Sequence, residues 1–254
     1  MTLEARRLGY GYPGRAVGRE LDLALAAGDV LCVLGPNGGG KTTLFRTLLG
    51  LLPAQEGEVR LEGNPLEALP RAEIARRMGY VPQGGGAPFA FSVHEMVLMG
   101  RTAHVGLFSA PGPADRAAAD RAIEALGIGA LSRRVLTELS GGERQLAMIA
   151  RALAQGARAL VLDEPTASLD FGNQVRVLRQ IRRLAAEGYA VVFSTHDPGQ
   201  AFLAASRVLL LAHGGALRQG SPEDVVTPDN LRAVYGVEVR IAAADGARAC
   251  LPVL

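Results

Sequence analysis

The sequence predicts an α/β fold, in which the α/β core is interrupted along the chain by an inserted helical subdomain. Two short apolar runs, Val30–Leu34 and Ala159–Leu162, indicate buried strands, and a cluster of polar or glycine residues follows each. Between them, residues 92–156 repeat their apolar positions at helical spacing. With 254 residues, of which 48% are hydrophobic and 20% charged, the chain can bury a large core.

Residues 1–34 are expected to form short strands joined by turns. The glycine-rich run Gly9–Gly14 predicts a turn. Leu21, Leu23 and Leu25 occupy alternate positions, which is typical of a half-buried strand.

The predicted strand Val30–Leu34 leads into a loop that fits the pattern G-x-x-x-x-G-K-[ST]. The loop consists of Gly35, Pro36, Asn37, Gly38, Gly39, Gly40, Lys41, Thr42 and Thr43, and the helical positions Leu44, Phe45, Leu48, Leu49 and Leu52 follow it. Glycines let backbone N–H groups turn inward and a helix N-terminus adds positive potential, so the loop can wrap a polyphosphate. Lys41, the only lysine among 27 basic residues, would reach the β- and γ-phosphates. Thr42 would place its hydroxyl on Mg²⁺.

An aromatic residue ahead of such a loop can stack on an adenine ring. Tyr10 is the first candidate and Tyr12 the second. The alternative is a tyrosine that packs at the end of a strand.

Further strands are predicted at Glu58–Leu61 and Gly79–Pro82. Gln83 follows the second of these, where its amide can contact Mg²⁺ or an attacking water. Gly84–Gly86 then predict a hinge.

The helical block contains two predicted capping boxes. Ser92 with Glu95 begins one helix, and Pro113 suits the first position of another. Ser140, Gly141, Gly142 and Glu143 begin the last helix of the block. Taken by themselves, these residues leave two interpretations open. The segment is either a capped helix or a second anion site built from Ser140, the glycine N–H groups and the helix dipole.

The predicted strand Ala159–Leu162 ends in Asp163 and Glu164. Adjacent carboxylates at a strand end point in different directions, so Asp163 can bind Mg²⁺ while Glu164 accepts a proton from water. Ser168–Asp170 predict a turn before an amphipathic helix with Val175, Leu178 and Ile181. The strand Tyr189–Phe193 then leads to His196, and the carboxyl end of a strand in such a sheet faces the ligand crevice.

The remaining 49 residues predict a strand at Val208–Leu211, a turn at Gly214-Gly215 and small helices around Pro222–Val226 and Asn230–Tyr235. The formal net charge of +2 gives no support for nucleic-acid binding. The sequence contains neither an apolar run of membrane-spanning length nor a secretory signal, so a cytosolic location is expected.

In motif order and spacing the chain resembles the ATP-binding subunit of an ABC transporter over nearly its whole length. The matching motifs are the Walker A loop at Gly35–Thr43, the Q-loop at Gln83, the signature at Leu139–Gln145, Walker B with its catalytic glutamate at Leu160–Glu164, the D-loop at Ser168–Asp170 and the switch histidine at His196. Tyr10 falls where this family has its adenine-stacking aromatic. Small departures are Gly39 and Thr42 where serine is commoner and Glu143 where glutamine is common.

The resemblance implies a P-loop NTPase (RecA-like) core with an N-terminal antiparallel β portion. Residues 1–254 would form one ATP-binding domain, with 1–86 and 157–254 in the core and 87–156 in a helical subdomain. Lys41, Gln83, Glu164 and His196 would carry catalysis, and Thr42, Gln83 and Asp163 would bind Mg²⁺. Two copies would pack head to tail, so that each ATP lies between one Walker A loop and the partner copy's Ser140–Gly142.

A finer resemblance, within Gly84–Phe108, is to importers of metal chelates such as iron–siderophore, haem, cobalamin and molybdate. It implies integral-membrane permease subunits that dock near Gln83–Arg101, with Phe89, Phe91 and Met99 in contact or, alternatively, packed inside the subdomain. A periplasmic or lipoprotein substrate-binding protein would take part indirectly, and the chain would lie on the cytoplasmic face of a bacterial inner membrane. The alternatives are an exporter or lipid-transport ATPase and, more distantly, an ABC ATPase of DNA repair or translation.

Overall fold

A computed structural model of the chain describes residues 2–84, 90–106 and 109–253, and contains two main sheets and a terminal hairpin. The strands are β1 Thr2–Tyr12, β2 Arg15–Ala26, β3 Val30–Leu34, β4 Glu56–Leu61, β5 Asn64–Pro65, β6 Met78–Val81, β7 Ala159–Leu162, β8 Ala190–Thr195, β9 Arg207–Ala212, β10 Gly215–Gly220, β11 Val239–Ala244 and β12 Ala247–Pro252. The α-helices are α1 Lys41–Leu48, α2 Arg71–Arg77, α3 Val93–Leu98, α4 Pro113–Ala125, α5 Gly141–Ala154, α6 Phe171–Ala186, α7 Pro198–Ala204, α8 Pro222–Val225 and α9 Pro228–Tyr235.

The central sheet has the order β10-β9-β3-β8-β7-β6, and β3 pairs in parallel with both β8 and β9. Its parallel strands are almost completely buried, as expected for a sheet covered on both faces. In register, Leu34 lies opposite Thr195 and Leu162 lies opposite Phe193. The carboxyl ends of β3, β7 and β8 therefore meet at one edge, where the chain continues into the loop, the acidic pair and His196.

The two faces of β3 belong to two different hydrophobic cores. Cys32 and Leu34 pack on the face that also receives helix residues of the inserted block, such as Ile149. Leu31 and Val33 pack on the opposite face with α1 and the antiparallel sheet. Because β3 contributes to both cores, the loop that follows it begins from a strand held on both sides.

The antiparallel sheet has the order β2-β1-β4-β5 and covers one face of the central sheet. Its strands β1 and β2 are longer than the short strands expected from the sequence. Gly9 was predicted to begin a turn but lies within β1, where it pairs with Glu56 of β4. Glycine suits this position because a Cβ there would come within 2.9 Å of Glu56 Cβ. Only Pro13 and Gly14 form the turn, with Gly14 at φ +75°.

The elements between Val93 and Ala154 are helices, and both predicted capping boxes are confirmed at Ser92 and Ser140. The strands near Glu58, Gly79 and Tyr189 are also confirmed, with bounds shifted by one or two residues. In α6 the buried stripe begins at Val177, whereas Val175 is only half-buried. Among the residues that the structure describes, none of the helices combines the length and apolarity needed to cross a membrane.

The region after Val208 contains more strand than the sequence analysis predicted. The predicted strand and both small helices are present, but β10 and the hairpin β11–β12 were missed. The hairpin turns at Asp245-Gly246, both with positive φ, and the dipeptide Asp-Gly is itself a recognised hairpin signal. Its apolar side chains Val239, Ile241 and Cys250 pack against the central core.

Candidate active site

The glycine-rich loop forms the wall of a cavity of about 340 Å³ at the carboxyl edge of the central sheet. Gly40 ends the loop at φ +92°, a conformation that favours glycine, and a Cβ there would lie 2.4 Å from Val17 Cγ1. Helix α1 begins at the next residue without an acidic side chain in its first turn. Its free N–H groups and positive dipole end therefore favour an anion in this cavity.

The ammonium of Lys41 lies at the base of the cavity, and the Lys41 side chain is 5% exposed. Its Nζ donates to the carbonyl oxygens of Gly35 at 2.9 Å and Pro36 at 3.0 Å, and lies 3.2 Å from Glu164 Oε1. These oxygens fix the direction of a side chain that would otherwise be mobile. A phosphate in the cavity would meet a cation that is already positioned.

Asp163 is buried and joined by both carboxylate oxygens to hydroxyl groups. Thr42 Oγ1 donates to Asp163 Oδ2 at 2.7 Å, and Ser194 Oγ donates to Asp163 Oδ1 at 2.6 Å. Two neighbouring oxygen ligands of an octahedral Mg²⁺ ion lie about 3 Å apart, close to the Thr42–Asp163 separation. This pair of oxygens therefore fits the chemistry of a magnesium ligand set, completed by water and phosphate oxygens.

Glu164 brings together three of the residues predicted from the sequence. Its carboxylate lies 3.2 Å from Lys41 Nζ, 3.1 Å from Gln83 Nε2 and 3.4 Å from His196 Nδ1. Its backbone has φ +46°, in the left-handed region, and its N–H donates to Ser194 Oγ at 2.8 Å. A carboxylate held beside a cation, an amide and an imidazole is placed to orient a water molecule and accept its proton.

The aromatic residue that faces the cavity is Tyr12, so the first choice of Tyr10 was wrong. Tyr10 is completely buried, its ring covers Gly18, and burial raises its pKa to about 12. Tyr12 is 39% exposed and lines the cavity together with Arg15 and Val17 of β2. Irregularities in the β1–β2 pairing on either side of Tyr10 break the simple alternation, which explains why sequence position alone misplaced the exposed ring.

The segment Ser140–Glu143 lies outside the cavity that holds Lys41. Ser140 caps α5 by accepting from Glu143 N, and Glu143 Oε2 accepts from Ser140 N at 2.9 Å. The Ser140 N–H and then the Ser140 hydroxyl, both beside the Glu143 carboxylate, lower the pKa of Glu143. Ser140 and Gly141 remain exposed. Within one chain, therefore, this candidate anion site is separate from the phosphate loop.

The glycines of that segment pack against the turn that carries Asp170. A Cβ at Gly142 would lie 2.2 Å from Asn173 Oδ1, and one at Gly141 would lie 2.9 Å from Leu169 Cδ2. Asp170 caps α6 by accepting from Asn173 N at 2.9 Å, and this contact lowers the pKa of Asp170. The start of α5 and the turn before α6 therefore form one surface.

The segment predicted to contact a membrane partner is described only in part. Phe89 lies outside the described residues, as do Gly85 and Gly86 of the predicted hinge. Phe91 is half-buried against the core, whereas Met99 is 42% exposed. Met99 lines a groove of about 460 Å³ on the surface of α3 and the turn that follows it.

Comparison with known proteins places these features in a family. The model of the family described as "ABC transporter" matches residues 19–167. An uncharacterised ABC transporter ATP-binding protein of Haemophilus influenzae is 40% identical over 92% of this chain and 89% of its own length. The hemin import ATP-binding protein HmuV of Burkholderia pseudomallei is 40% identical over 96% of this chain and 97% of its own.

A solved structure agrees with these sequence matches. It is an inward-facing conformation of a transporter provisionally assigned to the metal-chelate type of ABC transporter, and it is 34% identical to this chain. The two superimpose with a TM-score of 0.87 over 100% of this chain and 98% of the matched chain. The likeness therefore includes the antiparallel sheet, the helical block and the C-terminal hairpin as well as the central sheet.

Proposed function

The chain belongs to the ABC transporter family and is an ATPase of that type, and on this basis we propose that it powers an importer of a metal chelate or metal oxyanion. The observation that supports the hydrolytic role most directly is the convergence on Glu164 of Lys41, Gln83 and His196. The proposed cargo class rests on the similarity to the hemin importer subunit and to the metal-chelate type transporter.

The proposed reaction is in-line hydrolysis of Mg·ATP in the cavity beside the loop. Lys41 and the N–H groups at the start of α1 bind the phosphate oxygens, and Tyr12 stacks on the adenine ring. Bound Mg²⁺, held by Thr42, Asp163 and Gln83, would neutralise charge on the β- and γ-phosphates.

Glu164 accepts a proton from water as the water oxygen bonds to the γ-phosphorus, while the bond to the β–γ bridging oxygen breaks and ADP leaves with that electron pair. His196 lies next to Glu164 and contacts the γ-phosphate. Its imidazole is 54% exposed and lies 3.4 Å from Glu164, so it can turn toward a phosphate bound beside that carboxylate.

The functional unit in this proposal is a head-to-tail pair of copies of this chain. Ser140 and Gly141 are exposed but do not line the cavity of their own chain, so a second copy is needed to place them on the phosphates. Asp170 would approach the partner copy together with Ser140, because both lie on the one surface described above.

Transport requires membrane permease subunits, which we place at the groove beside Met99 on the cytoplasmic face of a bacterial inner membrane. A periplasmic or lipoprotein substrate-binding protein would deliver the cargo to them. Nucleic acid is not a partner in this proposal, because a net charge of +2 lacks the excess of basic residues that is typical of nucleic-acid-binding domains.

Reconstitution tests the proposal. The chain is assembled with its permease in lipid vesicles, and ATP-dependent accumulation of haem, ferric siderophore, cobalamin and molybdate is measured. Accumulation of one of these supports the importer. Outward movement of a lipid or drug would replace it with the exporter alternative, and absence of ATP turnover would overturn the enzymatic role.

A further inference from the structure

A buried glutamine, Gln200, joins the two segments that carry Glu164 and His196. Gln200 lies in the first turn of α7 and is 5% exposed. Its Oε1 accepts from Thr166 Oγ1 at 2.8 Å and from Thr195 Oγ1 at 3.0 Å. Thr166 follows Glu164 by two residues and Thr195 directly precedes His196, so a single oxygen connects both catalytic segments.

The direction of these hydrogen bonds follows from the neighbouring contacts. Asp197 N donates to Thr195 Oγ1 at 3.1 Å, which leaves the Thr195 proton to donate to Gln200. The Thr166 proton donates to the same oxygen, so both acceptor positions of the Gln200 amide oxygen are used. The hydroxyl groups of two buried threonines thus depend on one acceptor.

The position of Gln200 is itself fixed by the cap of α7. Asp197 Oδ1 accepts from Gly199 N at 2.8 Å, and Pro198 occupies the first helical position. Gln200 N donates to Asp197 O at 3.2 Å. The cap residue Asp197 directly follows His196. The cap of α7 therefore holds the Gln200 side chain at a defined position relative to the segment that carries His196.

The other side of Glu164 is held from the same strand. Ser194 Oγ accepts from Glu164 N, and Ser194 is completely buried. Two residues at the end of β8 therefore hold the chain around Glu164. Ser194 bonds the Glu164 N–H directly, and Thr195 is joined through Gln200 to Thr166, two residues after Glu164. Its left-handed backbone conformation needs such support to persist.

We propose that Gln200 is a positioning residue for ATP hydrolysis, which sets the placement of Glu164 relative to His196 by holding Thr166 and Thr195 on one amide oxygen. Gln200 itself is not among the described residues that line the cavity beside the phosphate loop. This proposal rests on the proposed function, because the placement of the two side chains matters only if they act on the same phosphate.

The test compares Gln200→Met, Gln200→Glu and Thr166→Val in the full chain. Methionine keeps the volume without an acceptor, and we expect kcat to fall about 10- to 100-fold, the loss typical of a displaced catalytic group, with the KM for ATP unchanged. Glutamate keeps an acceptor oxygen in place and should recover part of kcat. Thr166→Val removes one of the two bonds with little change of shape and should give a smaller loss.

Non-additivity provides the second readout. If Gln200 acts through the hydroxyl that it holds, adding Thr166→Val to Gln200→Met should lower kcat no further. The matched control is Gln155→Met, which removes a glutamine that bridges Ala75 O and Met78 O away from the cavity. That control should lower the melting temperature without changing kcat.

Unchanged kcat in Gln200→Met below its melting temperature would overturn the proposal, even if the variant is less stable, since the role would then be structural only. Equal losses in the methionine and glutamate variants, or a further loss on removing the Thr166 hydroxyl from Gln200→Met, would also overturn it. A parent chain that hydrolyses no ATP would overturn the proposed function and this inference with it, whereas a fully active Gln200→Met overturns this inference alone.

Discussion

Replacing Glu164 with glutamine separates the binding of ATP from its hydrolysis. The amide has nearly the shape of the carboxylate and keeps an oxygen that can face Lys41 Nζ, now 3.2 Å away. It cannot accept the proton of an attacking water. We therefore expect Glu164→Gln to bind Mg·ATP at least as tightly as the parent chain and to turn it over far more slowly.

The size of the effect follows from the role assigned to the carboxylate. General-base catalysis contributes about 10²–10⁴-fold, and each tenfold change equals about 1.4 kcal/mol, so the barrier should rise by about 3–5 kcal/mol. Two features of the structure favour a large value within that range. Glu164 is 8% exposed, so bulk water cannot readily replace it as the base. The neighbouring carboxylate of Asp163 cannot readily replace it either, because both Asp163 oxygens accept from Thr42 and Ser194.

The assay is release of phosphate at saturating Mg·ATP, with nucleotide affinity measured separately on the same variant. Size-exclusion chromatography with ATP should show an enlarged dimer fraction, because the closed pair is not released by hydrolysis. The matched control is Glu56→Gln, the same chemical change in an exposed ion pair with Arg19, which should leave turnover unchanged. Hydrolysis by Glu164→Gln at the parent rate would refute the role of Glu164, and loss of ATP binding would show that the carboxylate is needed to build the cavity.

Three further predictions use the same preparations. Tyr12→Ala should weaken ATP binding about 5- to 150-fold, because stacking of a base on an aromatic ring contributes about 1–3 kcal/mol; unchanged affinity by calorimetry would exclude Tyr12 as the stacking residue. Tyr10→Phe removes a buried hydroxyl that has no hydrogen-bond partner among the described residues, so denaturant unfolding should show unchanged or greater stability with ATP affinity intact, and a loss of affinity would restore Tyr10 to the site. Glu143→Gln should be less stable than the parent chain at neutral pH and equal to it in acid, because the pKa of Glu143 is lowered in the folded chain. The contribution of the Glu143 carboxylate to the free energy of unfolding is fully present above about pH 4.3 and is lost as the pH falls through the lowered pKa. A difference in unfolding free energy that persists undiminished at pH 2 would contradict that explanation.

Local patterns predicted most of the residues that line the cavity. The phosphate loop depends on glycines and a lysine at fixed spacing, and Asp163, Glu164 and His196 directly follow apolar strands that can be recognised without knowledge of their neighbours. The parallel pairing of β3, β7 and β8 then brings these strand ends together. For the loop, the acidic pair and His196, short-range sequence information is sufficient because each directly follows a strand that ends at the same edge of the central sheet.

Residues that depend on contacts between distant elements could not be predicted in the same way. Gln200 lies 34 residues from Thr166, and nothing in the sequence around α7 shows that its side chain is buried. Tyr10 and Tyr12 each follow a glycine and lie two residues apart, and pairing irregularities within β1 decide which ring faces the cavity. The terminal hairpin differs from these cases, since Asp245-Gly246 gave a usable signal that the weakly apolar flanking strands obscured.

The left-handed conformation of Glu164 explains how two consecutive carboxylates serve one nucleotide. In an extended strand, neighbouring side chains point to opposite faces, so Asp163 and Glu164 would diverge. Asp163 reaches Thr42 beside the loop, and Glu164, with φ +46°, directs its side chain into the cavity that Thr42 also lines. A residue in that region costs on the order of 1–3 kcal/mol and persists only when its surroundings hold it. The hydrogen bond from Glu164 N to the buried Ser194 supplies part of that support. The strained backbone therefore lies at the residue whose side chain must point in a defined direction for the proposed chemistry.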